Sequence, residues 1–148
     1  IVGIGRGGLV PACYLADYLG PLKTLATLRI EYYTGIAKVG KKPKITQPVT
    51  VDLKGKNVLI VDDVADTGVT LKNAKEYIYK KGASKVKIAV LHYKPWSVLK
   101  PDYYVEETKK WVIYPWMRKE SLEELKEKGE NLEKTGIGKE IIYKLLEL

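Results

Sequence analysis

Phenylalanine is absent from the 148 residues, and cysteine, histidine and methionine occur once each. The lone Cys13 excludes an internal disulfide and suits a reducing compartment, so the cytoplasm is the expected location. It falls on the apolar side of an expected helix, which reads as a core position rather than a nucleophile. One histidine, His92 at the end of an expected strand, makes no zinc site. No apolar run approaches membrane-spanning length and the opening residues carry no signal-peptide pattern, so no membrane partner is expected. There is no Gly-Lys-Ser/Thr at Walker A spacing. No helix-turn-helix or RNA-binding aromatic signature is found either, and nothing favours a nucleic-acid partner. Glu, Lys, Ile and Tyr are abundant instead, a composition that leans toward heat adaptation.

What is present suits one domain with a sizeable core: 45% of the residues are hydrophobic. The net charge is +8. Residues 118–148 hold seven basic and eight acidic side chains, so the excess lies in residues 1–117. Such a surface attracts nucleic acid or, equally, a substrate rich in phosphate.

The most informative stretch is VLIVDDVADTGVTL at positions 58–71. Val58 to Val61 read as a strand buried on both faces. Asp62 and Asp63 close it, and Ala65-Asp66-Thr67-Gly68-Val69-Thr70 lead into a helical pattern. Backbone N–H groups wrapped at a helix N-terminus form an anion cradle, with the Thr67 and Thr70 hydroxyls as further donors. Gly68 lets the backbone approach a phosphate closely. Two carboxylates beside an anion cradle make sense if the ligand also offers hydroxyls or a Mg²⁺ ion. A sugar phosphate meets that description. The plainer alternative is a helix capped by Asp66 or Thr67.

This stretch resembles the phosphoribosyl-pyrophosphate (PRPP) motif of the type I phosphoribosyltransferases. The resemblance implies that Asp62 and Asp63 hold the ribose hydroxyls and, with substrate or water, a Mg²⁺ ion. It implies that residues Ala65 to Thr70 bind the 5′-phosphate. Val69 stands where 6-oxopurine members often carry Lys. The implied fold is α/β, a mostly parallel Rossmann-like sheet flanked by helices, and the alternation of strand and helix patterns along the chain points the same way.

The remaining segments follow in order. Ile1 to Ile4 read as a strand, Gly5-Arg6-Gly7-Gly8 as a Gly-rich turn, and about Pro11 to Leu19 as a helix ended by Gly20. The turn resembles the family's pyrophosphate loop, in which the Gly5–Arg6 peptide would be cis. Family members carry a further helix and hood portion before this strand, so the resemblance implies a truncated or partial chain. Leu25 to Ile30 form the next expected strand. Tyr32-Tyr33-Thr34 open a polar, Lys-rich stretch that reads as a surface loop and, by resemblance, as a lid excluding water from the reacting centre. Pro48 to Val51 are expected to return as a strand or hairpin arm. Thr70 to Lys81 read as a helix with Leu71, Ala74, Tyr77, Ile78 and Lys81 on one side, and Val86 to Leu91 as a buried strand.

Lys94-Pro95-Trp96-Ser97 and Trp111 to Trp116, an expected apolar strand, resemble segments of the archaeal purine enzymes related to the hypoxanthine-guanine and xanthine-guanine phosphoribosyltransferases. Taken alone, Lys94 reads as a surface lysine and Trp111 as a core residue. By resemblance Lys94 donates to a purine 6-oxygen, Trp111 stacks on the base, and the Val112 backbone bonds its edge. Met117 stands where relatives have an acid. Ser121 to Glu124 read as a capping box, and Ile137 to Leu148 carry an apolar stripe. The expected division is a core of 1–117 and a helical extension of 118–148.

The expected activity is Mg²⁺-dependent transfer of phosphoribose from PRPP to a purine in nucleotide salvage, with Asp62, Asp63 and Asp66 catalytic. Asp66 would take the proton of purine N7 as N9 attacks. Two rivals remain at this point: the same reaction on adenine, and a PRPP-sensing nucleic-acid regulator. By resemblance the assembly is a homodimer or homotetramer.

Overall fold

A computed structural model describes residues 1–20, 24–33 and 42–127. The chain divides into two compact units, Ile1–Lys109 and Lys110–Leu148. In the first, six strands form one sheet: β1 (Val2–Gly5), β2 (Ala26–Tyr33), β3 (Lys42–Gln47), β4 (Asn57–Ala65), β5 (Lys85–Tyr93) and β6 (Tyr103–Glu107). Their order is β3-β2-β1-β4-β5-β6. Every neighbouring pair is parallel except β2 and β3, which run antiparallel. The expected mostly parallel α/β sheet is therefore present.

Parallel neighbours need crossover connections; helices supply two of them here, and the irregular segment 94–102 joins β5 to β6. Helix α1 (Leu9–Tyr18) links β1 to β2, and α2 (Val69–Lys80) links β4 to β5. Pro11 sits in the first turn of α1, where its missing N–H costs nothing. Helix α2 buries Leu71, Ala74 and Ile78, the stripe that the 3.6-residue period predicts. Gly82, at φ 91°, takes the left-handed position beyond its C-cap Lys81. The core is built from the strands' aliphatic residues, among them Val2, Ile4, Leu28, Val58, Ile60, Val86 and Ile88, with the buried stripe of α2. β4 and β5 carry the continuous apolar runs 58–61 and 88–91 because parallel central strands are covered on both faces.

Several expectations are corrected. Cys13 is exposed, because α1 buries the face that carries Pro11 and Ala12. The arm that returns from the 34–41 segment is β3 at Lys42–Gln47, and residues 48–51 are not strand. Its partner is the far half of β2, with Glu31 opposite Lys44 and Tyr32 opposite Pro43. Proline is tolerated there because β3 is an edge strand. β4 runs on past the two acids to Ala65 rather than closing with them.

In the second unit, residues 111–114 are irregular backbone, not the expected strand, and Tyr114 stacks on Trp116 at 5.1 Å. Helix α3 (Arg118–Glu127) begins three residues before Ser121. The Ser121 N–H donates to Met117 O at 3.0 Å, an ordinary helical bond, so Ser121 is not an N-cap. The apolar stripe at 137–148 lies outside the described residues.

Candidate active site

The strand order reverses between β1 and β4. The chain leaves β1 toward β2 on one side and leaves β4 toward β5 on the other. Ligands of open α/β sheets bind in the crevice beyond the strands' C-terminal ends at such a point. The register sets Gly3 beside Val61, which brings the Gly5–Gly8 turn and the Asp62–Asp63 pair to the same edge.

The two are in direct contact. A Cβ added at Gly7 would lie 2.2 Å from Asp63 Oδ2. One added at Gly8 would lie 2.3 Å from Val61 O and 2.7 Å from the Asp62 Cα. The turn is closed by Gly8 N–H donating to Ile4 O at 2.9 Å and Leu9 N–H donating to Arg6 O at 3.1 Å. The Gly5–Arg6 peptide is cis, as expected for this turn.

Asp62 and Asp63 are both buried, and the Asp63 N–H donates to Asp62 Oδ1 at 3.0 Å. Burial holds the Asp62 carboxyl well above the usual carboxylate range, and the neighbouring Asp63 charge pushes the same way. The folded chain thus keeps this proton to higher pH than the unfolded chain does. Stability contributed by Asp62 is complete below the unfolded value of about 3.9 and falls as pH rises toward the folded value. Asp62→Asn is expected to raise the melting temperature of the ligand-free protein at neutral pH and to flatten its decline above pH 4. A lower neutral-pH melting temperature for the variant would contradict this electrostatic account.

The second loop leaves β4 at Ala65. Gly68, at φ 77°, is the N-cap of α2 and has no side chain to cap it, while the first-turn Val69 N–H donates to Thr67 Oγ1 at 3.4 Å. Of the two expected caps, Thr67 thus meets one first-turn N–H of α2, whereas Asp66 accepts from a side chain elsewhere. Gly68 is needed on two counts. Its left-handed backbone disfavours a side chain, and a Cβ there would lie 2.2 Å from Ser97 Oγ and 2.9 Å from Leu99 N. The close neighbour is thus the segment after β5, which clips onto this loop. Lys94 N–H donates to Ala65 O at 3.0 Å and Val98 N–H to Thr67 O at 2.9 Å. Between them, Trp96 Nε1 donates to Asp66 Oδ1 at 2.9 Å.

Lys94 is 5% exposed, with its Nζ 5.7 Å from the centroid of the Trp96 ring. Burial lowers the Lys94 ammonium below the usual lysine range, and the Asp66 carboxylate opposes that shift. The structure brings together Gly5, Arg6, Gly7, Gly8, Asp62 and Asp63. It likewise gathers Ala65 to Thr70 with Lys94. Tyr32 and Tyr33 end β2, whereas Thr34 and the rest of the expected lid lie outside the described residues. Trp111 and Val112 belong to the second unit.

The sequence marks Trp96 and Ser97 only as part of the Lys94-Pro95-Trp96-Ser97 segment and gives neither them nor Val98 a role of its own. Trp96 lies thirty residues from its partner Asp66, so no local spacing could reveal the bond. The available signal was an indole in a Pro-containing loop just past a strand end.

The fold and its two-loop, two-acid site are those of a phosphoribosyl-transfer scaffold. The chain belongs to the phosphoribosyl transferase domain family, whose profile matches residues 1–128. It is 34% identical over 118 residues to the xanthine-guanine phosphoribosyltransferase of Gluconobacter oxydans, covering 78% of this chain and 67% of the relative. It is 35% identical over 95 residues to the hypoxanthine-guanine phosphoribosyltransferase of Streptococcus pneumoniae, covering 64% and 53%. Among solved structures, the purine phosphoribosyltransferase of Pyrococcus horikoshii superposes with a TM-score of 0.71 at 48% identity, covering 78% of this chain and 74% of that one. Among the described residues, no helix is long and apolar enough to cross a membrane.

Proposed function

We propose that this chain is a purine phosphoribosyltransferase of nucleotide salvage. It would transfer phosphoribose from PRPP to N9 of a 6-oxopurine and release pyrophosphate. The observation that carries the reading is the contact of Gly7 and Gly8 with the Asp63 and Asp62 positions. A loop suited to pyrophosphate thus abuts an acid pair suited to ribose hydroxyls, with a 5′-phosphate cradle following on the same strand.

Each residue then has a task. Asp62 and Asp63 accept hydrogen bonds from the ribose 2′- and 3′-hydroxyls and face the positive charge that grows on the ring. The N–H groups of Ala65 to Thr70 hold the 5′-phosphate. Arg6, Gly7 and Gly8 receive the pyrophosphate. Asp66 accepts the proton from purine N7. Lys94 donates to the 6-oxygen of the base. Tyr32, Tyr33 and Thr34 open the lid. Because phosphate and carboxylate groups meet here, orientation and electrostatics supply most of the acceleration.

Mg²⁺ fits this donor set. Asp62 and Asp63 are adjacent and buried, burial and then the Asp63 charge raise the Asp62 carboxyl, and Mg²⁺ is commonly held by one or two carboxylates together with substrate phosphates. Asp62 and Asp63 would hold it through substrate or water. When bound, the ion supplies charge neutralisation at the pyrophosphate. We assign residues 1–117 as the transferase core and 118–148 as an extension that begins with α3, in a cytoplasmic homodimer or homotetramer.

The test is steady-state turnover with PRPP and Mg²⁺ against hypoxanthine, guanine, xanthine and adenine in parallel. Nucleotide formation with the 6-oxopurines is the expected result; turnover with adenine alone, or with none, overturns the reading. Lys94→Met keeps side-chain length and removes the donor. It is expected to lower kcat/KM for hypoxanthine by about 10- to 100-fold, the usual cost of an unmade bond from a charged group, and to narrow the preference over adenine. An unchanged hypoxanthine-to-adenine ratio would remove Lys94 from base selection.

A further inference from the structure

We propose that Trp96 is a positioning residue that sets both groups that read the base: its indole N–H orients Asp66 and its ring face seats Lys94. The inference rests on the function proposed above and adds a residue to that site.

The backbone makes the assignment specific. Residues 94–98 lie against residues 65–67, pinned at one end by Lys94 N–H to Ala65 O and at the other by Val98 N–H to Thr67 O. Within the clip, Ser97 N–H donates to Lys94 O at 3.0 Å, which closes a turn around Trp96. Ser97 Oγ donates to Leu99 O at 2.9 Å and fixes the exit. Trp96 is the middle residue of one segment, and Asp66 is the middle residue of the other. A turn held at three points thus carries the indole to a carboxylate whose neighbours on both sides are bonded to the same turn.

The chemistry follows from which atoms are engaged. Trp96 Nε1 is a donor only, so Asp66 Oδ1 is the acceptor in this bond and the carboxylate is held in one orientation. The bond uses one oxygen and leaves the other for the base. An unanchored carboxylate would rotate about two side-chain bonds, and proton acceptance needs hydrogen-bond geometry to within a few tenths of an ångström. The ring face meets the Lys94 ammonium at 5.7 Å, within cation–π range. Trp96 remains 52% exposed, so hydrophobic burial does not explain its placement, whereas its two polar contacts do.

Two substitutions separate edge from face. Trp96→Phe keeps an aromatic face and loses the N–H. Trp96→Gln keeps an N–H donor of similar reach and loses the face. Expected for Trp96→Phe is a fall in kcat of about 10- to 100-fold, with KM for PRPP within twofold and the hypoxanthine-to-adenine preference retained. Expected for Trp96→Gln is kcat nearer the wild type and a narrowed preference. In an Asp66→Asn background, Trp96→Phe should cost nothing further, because the two residues act as one unit. A readout independent of turnover is indole emission: Asp66→Asn should shift the spectrum of the wild type and not that of Trp96→Phe. Melting temperatures within about 2 °C would show that the variants fold. Unchanged kcat in Trp96→Phe while Asp66→Asn is inactive overturns this inference alone. So does an equal loss in both backgrounds, or an emission shift that survives removal of Trp96. Absence of wild-type turnover with every purine overturns the functional reading and this inference together.

Discussion

Asp66→Asn is expected to lower kcat by about 10²- to 10⁴-fold, the usual worth of a positioned general base, while KM for PRPP changes by less than about threefold. The split follows from the loop's construction. Phosphate binding depends on backbone N–H groups between Ala65 and Thr70, and their path is set by Gly68 and by the bonds from Lys94 and Val98. An asparagine at position 66 leaves all of these in place and can still accept a hydrogen bond from the Trp96 indole through its carbonyl oxygen. What it cannot do is take up a proton. Single-turnover and steady-state kinetics with hypoxanthine would measure both parameters. A kcat within threefold of the wild type would remove Asp66 from the chemistry and leave it a scaffold residue. A matched rise in KM for PRPP would mean that the cradle itself had collapsed.

The second large effect concerns the paired glycines, and it divides between stability and catalysis. Gly8 has φ −73° and ψ −8°, a conformation open to any residue, so backbone freedom does not require glycine there. Space does. Its missing Cβ would press on Val61 O at 2.3 Å, Asp62 Cα at 2.7 Å and Ile4 O at 2.9 Å, all of them backbone atoms of the two central strands. Relief would demand separating β1 from β4. Gly8→Ala should therefore destabilise the protein by about 3 kcal/mol or more and lower the melting temperature by about 10 °C.

At Gly7 the clash is with Asp63 Oδ2, Cγ and Oδ1 at 2.2, 2.6 and 2.7 Å, and a side chain can turn away. Gly7→Ala should melt within a few degrees of the wild type yet lose about 10²-fold in turnover, because the ribose acid is displaced. Differential scanning calorimetry and a turnover assay on the two variants check both halves. A Gly8→Ala protein as stable as the wild type would show that the sheet and the loop are not in the contact described. Near-normal activity in Gly7→Ala would detach Asp63 from the reacting ribose.

The chain's own order determined the parts that are consecutive. The apolar run from Val58, the two acids, the small polar loop and the stripe of α2 follow one another within a couple of dozen residues. Local periodicity and strand-to-loop-to-helix connection suffice to read them. The same holds for the Gly-rich turn after β1. Errors arose where one of several local possibilities was chosen by distant packing. Cys13 lies on the exposed face of α1, because a ten-residue helix of mostly apolar residues does not declare in its sequence which side meets the sheet. The arm after the 34–41 segment was placed too late, because the basic residues of β3 hide an edge strand that borrows its partner from β2. The apolar neighbours of Trp111 suggest a strand, yet the backbone there is irregular.

Only the tertiary structure decided how separate segments meet. The strand order put β1 beside β4, and with it Gly7 against Asp63 and Gly8 against Asp62, more than fifty positions apart in the chain. It also folded the segment after β5 back over the 5′-phosphate loop, so that Trp96 reaches Asp66 and shares its ring with Lys94. The physical reason is range. Hydrogen-bond periodicity and hydrophobic alternation act over a few residues and leave a mark in sequence. Contacts set by the order of strands depend on which whole elements bury each other, and no short stretch of sequence contains that information.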